Sequence, residues 1–128
     1  MTNIDKNKYL KFEELPVWKI SYQLALNIYR ATMNFPKAEV FGLTSQIRRS
    51  SSSVGANIAE GFYKNTTPDL VHFLYIARGS AGETLHHLMM SYDLKYISDE
   101  DFVSLKDQVE NTLRQLSAWI KSLENKHQ

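Results

Sequence analysis

Apolar and polar positions recur along this chain at three- and four-residue steps in four successive stretches, and no competing strand pattern is present. The first stretch runs from about Leu15 to Phe35, with Pro16 suited to a first-turn position and Pro36 stopping it. Its polar stripe is Lys19, Gln23, Asn27, Arg30 and Asn34. The rest is apolar on two adjacent sides. Trp18, Tyr22, Ala25 and Tyr29 form one side, and Val17, Leu24, Ile28, Ala31 and Phe35 the other, which is wider than a single bundle seam requires. The surplus side is expected to face another subunit.

The second stretch, from roughly Leu43 to Phe62, writes two stripes side by side. Leu43, Ile47, Val54, Ile58 and Phe62 make an apolar one, while Gln46, Arg49, Ser53, Asn57 and Glu60 make a polar one. The run Ser50-Ser51-Ser52-Ser53 has the composition of a linker. The stripes nevertheless continue in phase through it, so small side chains at a close helix crossing explain it better. Gly55 costs a helix about 1 kcal/mol relative to alanine and points to the same close approach. Gly61 fits a helix end or a kink near it.

The third stretch opens with Thr67 as N-cap, Pro68 at the first position and Asp69 in the first turn, where the helix dipole favours a negative charge. It runs to about Tyr96, with Leu70, Phe73, Leu74, Ala77, Ala81, Leu85, Leu88 and Tyr92 as its core face. The fourth opens with Ser98-Asp99-Glu100-Asp101, an acidic variant of a capping box. It continues through Phe102, Leu105, Val109, Leu113, Leu116, Ile120 and Leu123. Short connections make successive helices antiparallel neighbours, so the pattern predicts an all-α, up-down-up-down four-helix bundle. The 128 residues suit a single domain over 1–128, with polar, frayed tails at 1–12 and 124–128.

Charge and composition narrow the classes. Lys+Arg 15 against Asp+Glu 14 gives a net charge of +1, which argues against a protein built to wrap a phosphate backbone. The charge is uneven: residues 1–64 sum to +4 and residues 65–128 to −3. With no cysteine, disulfides, thiolate metal sites and cysteine nucleophiles are excluded, and a reducing cytoplasm fits. The polar start, with Lys6, Lys8 and Lys11, is not a secretory signal, and no run approaches the ~18 apolar residues of a membrane span. A cytoplasmic protein without a membrane partner is expected.

Enzymatic chemistry finds little to stand on. Di-iron bundles use Glu-x-x-His on two helices. Glu83-Thr84-Leu85-His86 has that spacing, but its only companion, Glu124-Asn125-Lys126-His127, lies in the last few residues. His87, four residues after Glu83, is expected to make an ordinary helix-surface pair. Helical RNases of the HEPN class need an Arg followed four to six residues later by His, and Arg78 stands too far ahead of His86 and His87. No Ser-His-Asp arrangement, Gly-x-Ser-x-Gly elbow or phosphate loop is present. The expectation is therefore a non-enzyme without cofactor or metal, with a metal-dependent or hydrolytic bundle enzyme as the alternative.

The remaining candidates are polar residues at helical spacing: Gln46, Arg48, Arg49, Ser53, Asn57 and Glu60 on the second helix, with Arg78, Ser80 and Glu83 on the third. Charges inside a bundle must be paired. Arg49 or Arg48 is expected to meet Glu83, and Glu60 to meet Arg78 or a neighbouring subunit, while Gln46 and Asn57 satisfy helix ends or side chains. Two roles stay open: a network that fixes helix register, and a groove that binds RNA or a peptide.

With Phe35-Pro36, Glu39 and Phe41-Gly42-Leu43 before it and Ile76-Ala77-Arg78-Gly79-Ser80 and Glu83 after it, the stretch Gln46–Gly61 resembles the 23S rRNA-intervening sequence protein family. The resemblance covers about Phe12 to Leu123. It implies a bacterial four-helix bundle assembled into a ring-shaped homopentamer, acting as a scaffold or adaptor, with RNA or a nucleic-acid-associated protein as a further partner. Two departures bear on interfaces: the serine run replaces a more alanine-rich stretch, and Gly55 stands where the family commonly has proline.

Overall fold

The computed structural model describes residues 8–126, and within them the four helices are α1 (Pro16–Ala31), α2 (Leu43–Phe62), α3 (Thr67–Asp93) and α4 (Asp99–Asn125). Short 3-10 turns at Phe12–Glu14 and Lys37–Glu39 precede α1 and α2, and no strand occurs among the described residues. Each helix packs on its neighbour in the chain, and α1 closes the bundle against α4.

Two core clusters show the antiparallel order directly. One joins the start of α1 (Val17), the end of α2 (Val54, Ile58, Phe62), the start of α3 (Leu70, Leu74, Ala77) and the end of α4 (Leu116, Trp119, Ile120). The other joins the end of α1 (Leu24, Ile28), the start of α2 (Ile47), the end of α3 (Leu88) and the start of α4 (Leu105, Val109). Each fully buried large apolar side chain contributes roughly 1.5–3 kcal/mol. The apolar stripe expected on α2 is buried throughout. The expected seam of α4 lacked Trp119 and Thr112, both wholly buried beside it.

Helix ends depart from expectation for identifiable reasons. α1 stops at Ala31 rather than Phe35: Thr32 takes a ψ of −1°, and the Met33 and Phe35 amides turn to the carbonyls three residues back, Arg30 and Thr32. Phe35 is still buried, against Tyr96 at 5.5 Å between ring centroids. Thr66, not Thr67, caps α3: its hydroxyl accepts from the Asp69 amide at 3.3 Å. α3 ends at Asp93 rather than Tyr96, because Lys95 takes a left-handed φ of 65° and the Tyr96 amide donates back to the Ser91 carbonyl. Ser98 caps α4 as expected, accepting from the Asp101 amide at 3.1 Å. The expected tails are shorter within the described residues. Tyr9 and Phe12 pack against the core, and α4 continues to Asn125. His127 lies outside the described residues.

The α1–α2 and α3–α4 connections meet at one end of the bundle through Glu39. One carboxylate oxygen accepts from the Leu43 amide at 3.1 Å, capping α2, and the other accepts from the Tyr96 hydroxyl at 2.9 Å. A Cβ on Gly42 would stand 2.7 Å from that capping oxygen, so a larger residue there would make the Glu39 carboxylate shift.

Candidate functional site

The small residues of α2 bring it close to α3, and the polar stripe lies along that crossing. Ser50 and Ser51 are wholly buried. The Ser50 hydroxyl is 2.9 Å from that of Thr84, which also donates to the Ser80 carbonyl. One turn on, the Ser53 and Ser80 hydroxyls bond at 3.0 Å, and the Asn57 amide donates to the Ser53 carbonyl and hydroxyl at 2.8 and 2.9 Å. At Gly61 the helices nearly touch, since a Cβ there would be 3.0 Å from the Phe73 Cβ and 3.3 Å from the Leu70 carbonyl.

At the other end of this seam Arg49 pairs with Glu83 and donates to the Gln46 side-chain amide oxygen from two nitrogens at 3.0 and 3.1 Å. Glu83 also holds His87, at 3.3 Å. Partial burial pushes the Glu83 carboxyl up, but the hydrogen bonds of His87 and Arg49, with their charges, outweigh it and hold the group below its ordinary value. Of the expected pairings, Arg49–Glu83 is formed, together with Gln46 as a side-chain partner.

Arg48 and Arg78 lie elsewhere. Consecutive helical residues point about 100° apart, so Arg48 faces α1 while Arg49 faces α3. Arg48 donates to the Thr32 hydroxyl at 2.8 Å and the Tyr29 carbonyl at 3.2 Å, and its guanidinium lies over the Tyr29 ring at 4.7 Å. It thus places a cation at the C-terminus of α1, where the helix dipole favours one. Arg78, two residues before Ser80, points away from α2 towards α4. It stacks on Tyr75 at 4.8 Å and reaches the Ser117 hydroxyl at 3.4 Å. It does not meet Glu60, which is exposed on α2. The stripe on α2 therefore joins Ser80 and Glu83, and separates from Arg48, Arg78 and Glu60.

Thr84, absent from the sequence candidates, belongs to the seam. Its position four residues after Ser80 carried that signal. The Glu83-x-x-His86 spacing brings no ligand pair together: Glu83 turns to Arg49 and His87, and His86 is exposed. Among the described residues no group of three His, Asp or Glu is placed to hold a metal ion, and no helix is long and apolar enough to cross a membrane.

A second surface lies on the opposite side of α2. A groove of about 430 Å³ runs between α1 and α2, floored by Gly55, Ala56 and Ala59 and walled by Trp18, Tyr22 and Tyr29. Trp18 stacks on Tyr22 at 4.7 Å and meets Phe12 edge-on at 5.2 Å. It can lie across α2 because Gly55 is there, where a Cβ would come 3.3 Å from the indole nitrogen. Tyr22 and Tyr29 remain 50% and 44% exposed, so this side of α1 is not consumed by the bundle's own core.

A four-helix chain with these motifs has known counterparts. It is similar to a protein of unknown function from the S23 ribosomal protein family of Bacteroides thetaiotaomicron VPI-5482. The crystal structure of that protein superposes with a TM-score of 0.75 at 30% identity, over 82% of this chain and 98% of the other. No curated protein matches the chain. The sequence model described as 23S rRNA-intervening sequence protein matches residues 13–118, spanning the capped turn at Glu39, the small-residue crossing and the Arg49–Glu83 seam. The chain belongs to the 23S rRNA-intervening sequence protein family.

Proposed function

We propose that this protein is a non-enzymatic, homo-oligomeric bundle that acts as a cytoplasmic scaffold or adaptor, with the ring-shaped pentamer as its assembly. The observation that carries the reading is the aromatic α1–α2 face. Tyr22, Tyr29 and part of Trp18 stand in water beside a floor of Gly55, Ala56 and Ala59, although the bundle already has a closed core. Contiguous exposed apolar surface with a flat floor is what a protein–protein contact uses.

The polar seam supports a structural role. Its hydroxyls, amide and charges bond to one another, leaving no convergent acid, base and nucleophile for a reaction. Arg48 and Arg49 both have partners inside the chain, so RNA contact through this pair would require breaking them. The mass in solution tests the proposal: light scattering should give a multimer of 14.8 kDa chains, and a monomer at micromolar concentration would remove it. An Arg48→Ala, Arg49→Ala variant that loses RNA held by the wild type at low salt would restore the RNA reading.

A further inference from the structure

The polar stripe of α1 reaches the border with α4 at Asn27 and Arg30. Asn27 stands three and four residues before Arg30 and Ala31 and so shares their face, and on α4 Asp101, Ser104, Leu105 and Gln108 recur at the same spacing. Between the two faces lies a pocket of about 300 Å³, at the small end of the range of ligand clefts. Ala31 and the buried Leu105 give it an apolar base, and the remaining lining is polar.

The amides at this border form one directed chain. Gln23 Nε2 donates to Asn27 Oδ1 at 3.0 Å, Asn27 Nδ2 to Gln108 Oε1 at 2.9 Å, and Gln108 Nε2 to Ser104 Oγ at 3.2 Å. Ser104 is the last acceptor, and among the described residues its own O–H has nothing to donate to. Arg30 donates once, from Nη1 to Asn27 Oδ1 at 3.2 Å, which leaves its other nitrogens uncommitted beside the pocket. Asp101 gives its backbone amide to the Ser98 cap, while its carboxylate has no partner among the described residues. Arg30 and Asp101 thus line one pocket without forming an ion pair.

Opposite charges that flank a pocket without meeting favour a ligand that carries both signs. A lone anion drawn to Arg30 is repelled by Asp101, and a lone cation drawn to Asp101 is repelled by Arg30, whereas a zwitterion gains at both ends. We propose that this pocket binds a free α-amino acid with an aliphatic side chain. Its carboxylate accepts from the Arg30 guanidinium and the Ser104 hydroxyl, its ammonium donates to the Asp101 carboxylate, and its side chain lies on Ala31 and Leu105. The Asn27–Gln108 bond ties the two helices together and presets the site. The pocket lies at the α1–α4 border and the self-association face at α1–α2, so either proposal can fail alone.

L-leucine titrated at millimolar concentration into the full chain should shift the side-chain amide signals of Asn27 and Gln108 in nuclear magnetic resonance spectra, and the shift should saturate. Two analogues each drop one charge: isocaproate lacks the ammonium, and isoamylamine lacks the carboxylate. Each should bind at least about tenfold more weakly, as the loss of one charge-assisted contact predicts. Arg30→Gln and Asp101→Asn, both at exposed positions, should stay folded by circular dichroism and lose leucine affinity by a similar factor. The absence of a saturable shift overturns the site. Isocaproate binding as tightly as leucine reduces it to a carboxylate contact and overturns the zwitterion, and wild-type affinity in either variant overturns the pairing of charges.

Discussion

The two flanks of α2 are built from similar small residues and reach opposite outcomes. Towards α3, Ser50, Ser53, Asn57 and Gly61 meet Thr84, Ser80 and Phe73, and the polar atoms find partners within the chain. Towards α1, Ser52, Gly55, Ala56 and Ala59 floor a groove whose walls, Tyr22 and Tyr29, stay about half exposed. The polar flank is the one that a reader of the sequence notices, yet it is complete. The apolar flank is plainer, yet among the described residues it is the one left half exposed. Function in this bundle is better sought where the chain leaves surface unfinished than where it concentrates polar residues.

Variants can break either flank separately. The largest effect is expected from Gly61→Val, which puts side-chain atoms into Phe73 and Leu70 and should cost about 1–3 kcal/mol in urea unfolding. An unchanged midpoint would mean that the α2–α3 crossing is not close there. Next is Gly42→Ala. Its Cβ would displace the Glu39 carboxylate, removing the cap on the Leu43 amide and the bond to Tyr96, for about 1–2 kcal/mol. If Glu39→Ala has the same cost and the double variant adds nothing, the two residues act as one device.

Thr84→Val keeps the shape but removes a buried hydroxyl that links Ser50 to the Ser80 carbonyl, and should cost about 1 kcal/mol. Glu83→Gln should cost less, at most about 1 kcal/mol, because Arg49 and Glu83 are 52% and 38% exposed and water screens the pair. Its pH dependence has a definite sign. The Glu83 carboxyl is held below its unfolded value, so its contribution is complete above the ordinary carboxylate range and is lost as pH falls through and below it. Wild type and Glu83→Gln should therefore differ at neutral pH and converge in acid. A gap that widens in acid would contradict the pairing.

Much of the fold was legible because helical periodicity and punctuation agreed. α2 begins and ends where its stripes do, Ser98 caps α4, and the serine run is helical because its neighbours stay in phase. Where the reading erred, local backbone geometry that no spacing encodes decided the end: the Met33 and Phe35 amides turning to carbonyls three residues back after α1, and Lys95 in the left-handed region after α3. The seam was half legible. Ser80 and Glu83 share the register that faces α2, whereas Arg48 sits about 100° round α2 from Arg49 and Arg78 about 200° round α3 from Ser80. The Glu39–Gly42–Tyr96 arrangement was not legible, because Tyr96 reaches Glu39 across 57 residues and only the folded bundle end brings them together.

The central claim is that the α1–α2 face, and not the polar seam, is where this protein meets another copy. Tyr22→Lys tests it most directly, since Tyr22 is half exposed and losing its stacking on Trp18 should cost the single chain no more than about 1.5 kcal/mol. Light scattering should give a multimer for the wild type and for Glu83→Gln, and a 14.8 kDa monomer for Tyr22→Lys. A Tyr22→Lys protein that keeps the wild-type mass, or a Glu83→Gln protein that loses it, would contradict the account.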